Sequence, residues 1–158
     1  MRLASGFAVV LLLATVARAD PAADAKAHSD AFARAINAGD KKAVVALYAD
    51  AARVIWPGAG DEANGRAAIE KLVDETLKAF PEAKLTLKSQ QAIPLGNGYI
   101  ATVGHWEQSW KNAEGKTETA QVRTSEVIHK QGKRTLYVID HASIGLAPPP
   151  PASPGNPK

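Results

Sequence analysis

The sequence predicts an α+β domain, with helices first and then a long antiparallel meander that folds back over them. Three observations carry that reading. Apolar residues recur at helical spacing between Ala25 and Phe80, the period drops to two from Lys84 onward, and Gly, Pro, Asn and Asp punctuate both regions. The 158 residues suffice for one domain, which would bury roughly two-thirds of the surface its unfolded chain exposes.

The elements follow in order. Ala25, Ser29, Phe32 and Ile36 lie on one helical face, and Gly39 can close that helix in the left-handed conformation. Asp40 is placed to cap a second, short helix with Val44, Leu47 and Tyr48 on one side. Ala52 to Trp56 reads as a brief strand stopped by Pro57, and Gly58 to Gly65 as an irregular loop. A third helix is predicted from about Arg66 to Phe80, with Ile69, Leu72, Val73, Leu77 and Phe80 on a single face. Pro81 ends it, because the residue before a proline is disfavoured in the helical region. Four strand-like runs follow: Lys84–Ile93, Tyr99–Lys111, Thr117–His129 and Arg134–Ile144. Gly96-Asn97-Gly98, Asn112-Ala113-Glu114-Gly115 and Gln131-Gly132 supply hairpin chemistry between them. A twisted meander with helices over one face leaves a concave side, where a pocket is expected.

The ends read differently. Residues 1–19 combine Arg2, an apolar run from Phe7 to Ala17 and the Ala17-Arg18-Ala19 site, the pattern of a secretory signal. The run is shorter than the roughly 20 residues of a permanent span. The mature chain is expected to begin at Asp20 and to be exported, to a bacterial periplasm or exterior. Residues 147–158 hold Pro148, Pro149, Pro150, Pro151, Pro154 and Pro157 and read as a disordered tail. The folded domain is therefore about residues 20–146.

Charge and composition exclude several classes. Lys and Arg number 19 against 16 acids, and Arg2 and Arg18 leave with the signal, so the mature balance is 17 against 16. That near-neutral surface predicts neither nucleic acid nor anionic lipid as partner. The absence of cysteine removes disulfides, thiolate zinc sites and cysteine nucleophiles. His28, His105, His129 and His141 show no metal-ligand spacing, and Gly58-Ala59-Gly60 is not a phosphate loop, so neither metal nor cofactor is expected. No nucleophile-elbow motif supports a serine hydrolase.

Four segments together resemble the nuclear transport factor 2-like superfamily, and within it SnoaL-like proteins and the association domain of calmodulin-dependent protein kinase. They are Ile36-Asn37-Ala38-Gly39-Asp40, Ala46-Leu47-Tyr48-Ala49-Asp50, Val54-Ile55-Trp56-Pro57 and Asp140-His141-Ala142-Ser143. The resemblance spans about residues 26–146 and implies a cone-shaped curved sheet wrapped around three helices, commonly dimeric, with a pocket between sheet and helices. Members include isomerases, cyclases, dehydratases and non-catalytic assembly modules, so the site must decide the function. Ketosteroid isomerase is a relative whose chemistry can be checked residue by residue. Its base matches Trp56, its phenol Phe32, and its buried acid falls near Ser125, within about one residue. Indole and phenyl groups cannot perform those proton transfers, so that mechanism is not expected.

The candidate pocket residues are Phe32, Trp56, Trp106, Arg123, Ser125 and His141. Trp56 reads either as a stacking platform or as a core plug. In the run Tyr99–Lys111 neither face is cleanly apolar, and Gly104 reads as a possible bulge. The resemblance selects the even face, which makes Trp106 a pocket residue and Trp110 a rim residue, with a dimer-interface tryptophan as the other reading. Arg123, beside Ser125, reads as a clamp for an anionic group or as a paired surface arginine. Strict alternation sets Tyr137, Ile139, His141 and Ser143 together and Asp140 opposite them, so Asp140 cannot orient His141. His141 reads as a general base or ligand donor, or as a structural histidine. The leading expectation is a secreted, homodimeric small-molecule-binding protein whose hydrophobic or cyclic ligand could be anionic. One alternative is an isomerase, cyclase or dehydratase with His141 as base and Arg123 as anion stabiliser; another is an assembly module.

Overall fold

A computed structural model describes residues 20–58 and 62–145. The expected signal segment 1–19 and the proline-rich tail 147–158 lie outside the described residues. Helix α1 runs Pro21–Asn37, α2 Lys41–Ala46 and α3 Arg66–Ala79. The strands are β1 (Tyr48–Ile55), β2 (Ala63–Asn64), β3 (Lys84–Gly96), β4 (Tyr99–Lys111), β5 (Thr117–Gln131) and β6 (Arg134–Ile144). No described helix is long and apolar enough to cross a membrane.

Local chemistry accounts for the helix ends. The Asp20 carboxylate accepts the Ala22 amide at 3.0 Å and Pro21 takes the first helical turn of α1. Gly39, at φ +65°, turns the chain beyond α1. Asp40 then accepts the Ala43 amide at 2.9 Å and starts α2. The Asn37 side chain ties the end of α1 to β3, donating to the Leu85 carbonyl at 3.1 Å and accepting the Leu85 amide at 2.6 Å. That clamp holds Phe32 and Ile36 over the sheet.

The six strands form one curved, unclosed sheet in the order β2-β1-β6-β5-β4-β3. The meander β3 to β6 is antiparallel as expected, but β1 lies parallel to β6, so the sheet is mixed. Strand β1 also begins earlier than Ala52. Tyr48, expected on a helix, is its first residue and is buried there with Ala52 and Val54. Ala63 and Asn64 form a short edge pairing within the expected loop.

A bulge and a glycine decide which side chains face inward. On β6, Tyr137 pairs with Ile128 and Ile139 with Val127, which leaves Val138 as an extra residue. This bulge breaks the alternation, so Tyr137 and Asp140 are both buried on the concave face. Gly104 itself is no bulge, because β4 and β5 pair without interruption across it. A Cβ there would stand 2.7 Å from Thr124 Oγ1 and 2.9 Å from Trp106 Nε1, so glycine makes the slot that seats the indole.

Candidate functional site

The core beneath the helices opens into a hollow between α1, α3 and the inner face of the sheet. Phe32, Trp56, Phe80, Trp106 and Val122 form its walls, and Glu126 and Asp140 lie at its inner end. Trp106 is 2 % exposed and its indole N–H donates to Thr124 Oγ1 at 3.3 Å. Phe32 meets Trp56 edge-on at 6.0 Å and Trp106 at 6.3 Å between ring centroids. Thr76, Phe80, Gln108 and Ile144 stand nearer solvent, and Trp110 braces Phe80 at 5.3 Å. The cavity measures about 100 Å³. Drug-sized sites run to roughly 300–1,000 Å³, so this one admits a small compound or one ring of a larger one.

Two carboxyl groups dominate the electrostatics. Glu126 and Asp140 occupy directly opposed positions on β5 and β6, and are 5 % and 3 % exposed. The Tyr48 hydroxyl donates to Asp140 Oδ2 at 2.5 Å and the Trp56 indole N–H to the same oxygen at 2.9 Å. Thr102 donates to Glu126 Oε2 at 2.5 Å. Burial, and then the charge of Asp140, pushes the Glu126 carboxyl up to about 7. Burial also raises Asp140, against the two donors and a weaker pull from His141. Those donors favour the anion on Asp140, so near neutrality the retained proton resides on Glu126. Burial above all, with the neighbouring carboxylates, holds the Tyr48 and Tyr137 phenols well above their ordinary value and keeps them as donors. The arrangement joins a protonated acid and a carboxylate inside an aromatic pocket.

The profile of the SnoaL-like domain matches residues 29–135. The chain belongs to the SnoaL-like domain family. Its fold is shared with a protein from Xanthomonas campestris described as a candidate calcium/calmodulin dependent protein kinase II association domain, at TM-score 0.73 and 20 % identity, covering 84 % of this chain and 92 % of that one. A candidate dehydratase of the nuclear transport factor 2-like family from Streptomyces avermitilis aligns at TM-score 0.71 and 17 % identity, over 81 % and 100 % of the two chains. A candidate scytalone dehydratase from Novosphingobium aromaticivorans aligns at 0.71 and 8 %, over 79 % and 84 %. No curated protein matches the sequence.

In this SnoaL-like domain Phe32, Trp56 and Trp106 line the hollow, whereas Arg123, Ser125 and His141 do not. Those three are exposed on the outer face of the sheet, where Ser125 stands opposite His141 and Arg123 opposite Ser143. The β4–β5 register forces the first correction. Trp106 opposes Val122, Gly104 opposes Thr124 and Thr102 opposes Glu126, so an inward Trp106 turns Arg123 and Ser125 outward. The Val138 bulge forces the second, by exchanging His141 for Asp140. An arginine clamp and a histidine base in the pocket are thereby overturned. Tyr48, Thr102, Glu126 and Asp140 are not among the sequence-predicted pocket residues. Thr102 shares the even face of Trp106, and Glu126 lies on the β5 face opposite the one expected to line the pocket. Tyr48 is expected on a helix, and the bulge displaces Asp140. A signal did exist: both acids sit in inner faces otherwise made of apolar and hydroxyl residues. Among the described residues no group of three or more His, Cys, Asp or Glu is gathered for a metal ion.

Proposed function

We propose that this SnoaL-like protein binds a small ring compound between Trp56 and Trp106 and exchanges a proton with it through the Glu126–Asp140 pair. The observation that carries the proposal is the pair itself: two buried carboxyls on opposed strands at the inner end of an open aromatic hollow, both raised by burial. Dehydration and isomerisation both take a proton at one atom and deliver one at another, and a group titrating near neutrality serves both directions. The descriptions of two fold relatives as candidate dehydratases are consistent with that class. His141 and Arg123 have no part in this chemistry.

Native mass spectrometry of freshly purified protein, looking for a co-purifying small molecule, combined with tryptophan fluorescence, tests the reading. A ligand that quenches the parent protein is expected to lose most of that response in Trp106→Phe. His141→Ala, on the outer face, should leave the response unchanged. Quenching that survives Trp106→Phe but disappears in His141→Ala would place the site on the other side of the sheet.

The outer face favours a homodimer. Ile55, Val103 and Ile139 are each 42–48 % exposed; Ile139 adjoins Val127 in one cross-strand row, and Ile55 and Val103 flank His141 and Ser125 in the next. Export, with cleavage before Asp20, fits the same design, since Asp20 remains to cap α1.

A further inference from the structure

We propose that the hollow selects a small organic cation, a protonated amine borne on a single ring, over neutral and anionic compounds of the same shape. The inference rests on the hollow being a ligand site and adds the charge of what enters it.

The described residues lining the hollow include two carboxyls and no Lys, Arg or His. Asp140 is 3 % exposed, and its two donors converge on Oδ2. Oδ1 receives no donor from the described residues, so the carboxylate retains an acceptor on a group that lines the cavity. The cationic groups that could have neutralised it are elsewhere. Arg123 and His105 are on the outer face, and His141 acts on Asp140 only through the sheet, as the weakest of its influences. A buried carboxylate without a countercharge is costly, and an entering ammonium group supplies both the charge and the missing donor. The walls point the same way. Phe32, Trp56, Phe80 and Trp106 present aromatic rings around the space, and their π-faces attract a cation. An anionic ligand would meet a carboxylate and those same electron-rich faces. The cavity of about 100 Å³ restricts the cation to one ring or a short chain.

Three probes of one shape test the charge preference on the intact protein: benzylammonium, benzyl alcohol and benzoate. Each is titrated at about pH 8, where benzylammonium keeps most of its charge, with tryptophan fluorescence and calorimetry as readouts. Benzylammonium is expected to bind at least about tenfold more tightly than benzyl alcohol, with benzoate weakest. Asp140→Asn, which keeps the side-chain volume and an oxygen for Tyr48 and Trp56, should collapse that ratio towards one. Benzyl alcohol or benzoate binding as tightly as benzylammonium overturns the charge preference while leaving the hollow as a binding site. Failure of all three to bind overturns both proposals. If Asp140→Asn does not fold, the ratio among the three probes on the parent protein decides alone.

Discussion

Glu126 and His28 are buried titratable groups that pull the stability of the fold in opposite directions with pH. Folding raises the Glu126 carboxyl to about 7 through burial and the Asp140 charge. Between its ordinary value and 7 the unfolded chain releases this proton and the folded chain keeps it. Stability is therefore highest at the acid end and falls as pH rises through about 7, by an amount on the order of 3 kcal/mol. His28 is lowered to about 4 by burial, with Nε2 lacking a partner among the described residues and its ring 4.2 Å from that of Tyr137. Its contribution is complete above its ordinary value and is lost as pH falls towards 4. Above the ordinary histidine value, the Glu126 loss is left unopposed by His28. Urea midpoints of the parent are expected to fall between about pH 6.5 and 8, and Glu126→Gln should abolish that fall. A parent midpoint that is flat over this range refutes the assignment. Gly104 makes a second residue-scale prediction. Its added Cβ in Gly104→Ala would collide with Thr124 Oγ1 and Trp106 Nε1, costing about 1–3 kcal/mol and shifting the tryptophan emission to the red. Only the three-dimensional neighbours identify this glycine, because in sequence it looks like any strand interruption.

Strand β6 shows how one extra residue reassigns a whole face. Upstream of Val138 the concave face takes Tyr137, and downstream of it Asp140 and Ala142. Deleting Val138 would remove the extra residue and leave an unbroken alternation in which Tyr137 and Asp140 still face inward and His141 outward. The deletion variant is expected to keep its near-ultraviolet circular dichroism and cooperative melting; loss of both would show that Val138 does more than absorb one residue of register. The turns and caps of the other elements were legible from local chemistry. Asp40 caps α2, Gly39 turns the chain before it, and the meander strands begin and end within a few residues of their sequence-predicted bounds. Strand β1 was less so, since Tyr48 continues a helical pattern but is recruited into the sheet opposite Tyr137. Propensity over a few residues yields to a partner strand that supplies hydrogen bonds and burial together.

On the scale of the whole molecule, the sheet has two working faces with different chemistry. Its concave face holds the aromatic hollow and the carboxyl pair, while its outer face carries the half-exposed Ile55, Val103 and Ile139 beside His141 and Ser125. If the outer face joins two copies, Ile139→Glu should convert a dimer to a monomer in light scattering. Ligand-induced fluorescence changes in the hollow should persist in that variant, because the substitution lies on the opposite side of the sheet. A dimer that survives the substitution removes this face as the interface.

The family resemblance placed Phe32, Trp56 and Trp106 around a concave space, whereas the sequence by itself determined the α+β class and the order of helices and meander strands. Those features follow from periodicity, capping and turn chemistry, which act over a few neighbouring residues. The identity of the polar groups in that space was decided only by tertiary structure. A register between two strands and a single bulge set which of Glu126 or Ser125, and of Asp140 or His141, leaves water. Alternation transmits one local choice along an entire strand, so a shift of one residue exchanges a histidine and an arginine for two buried acids.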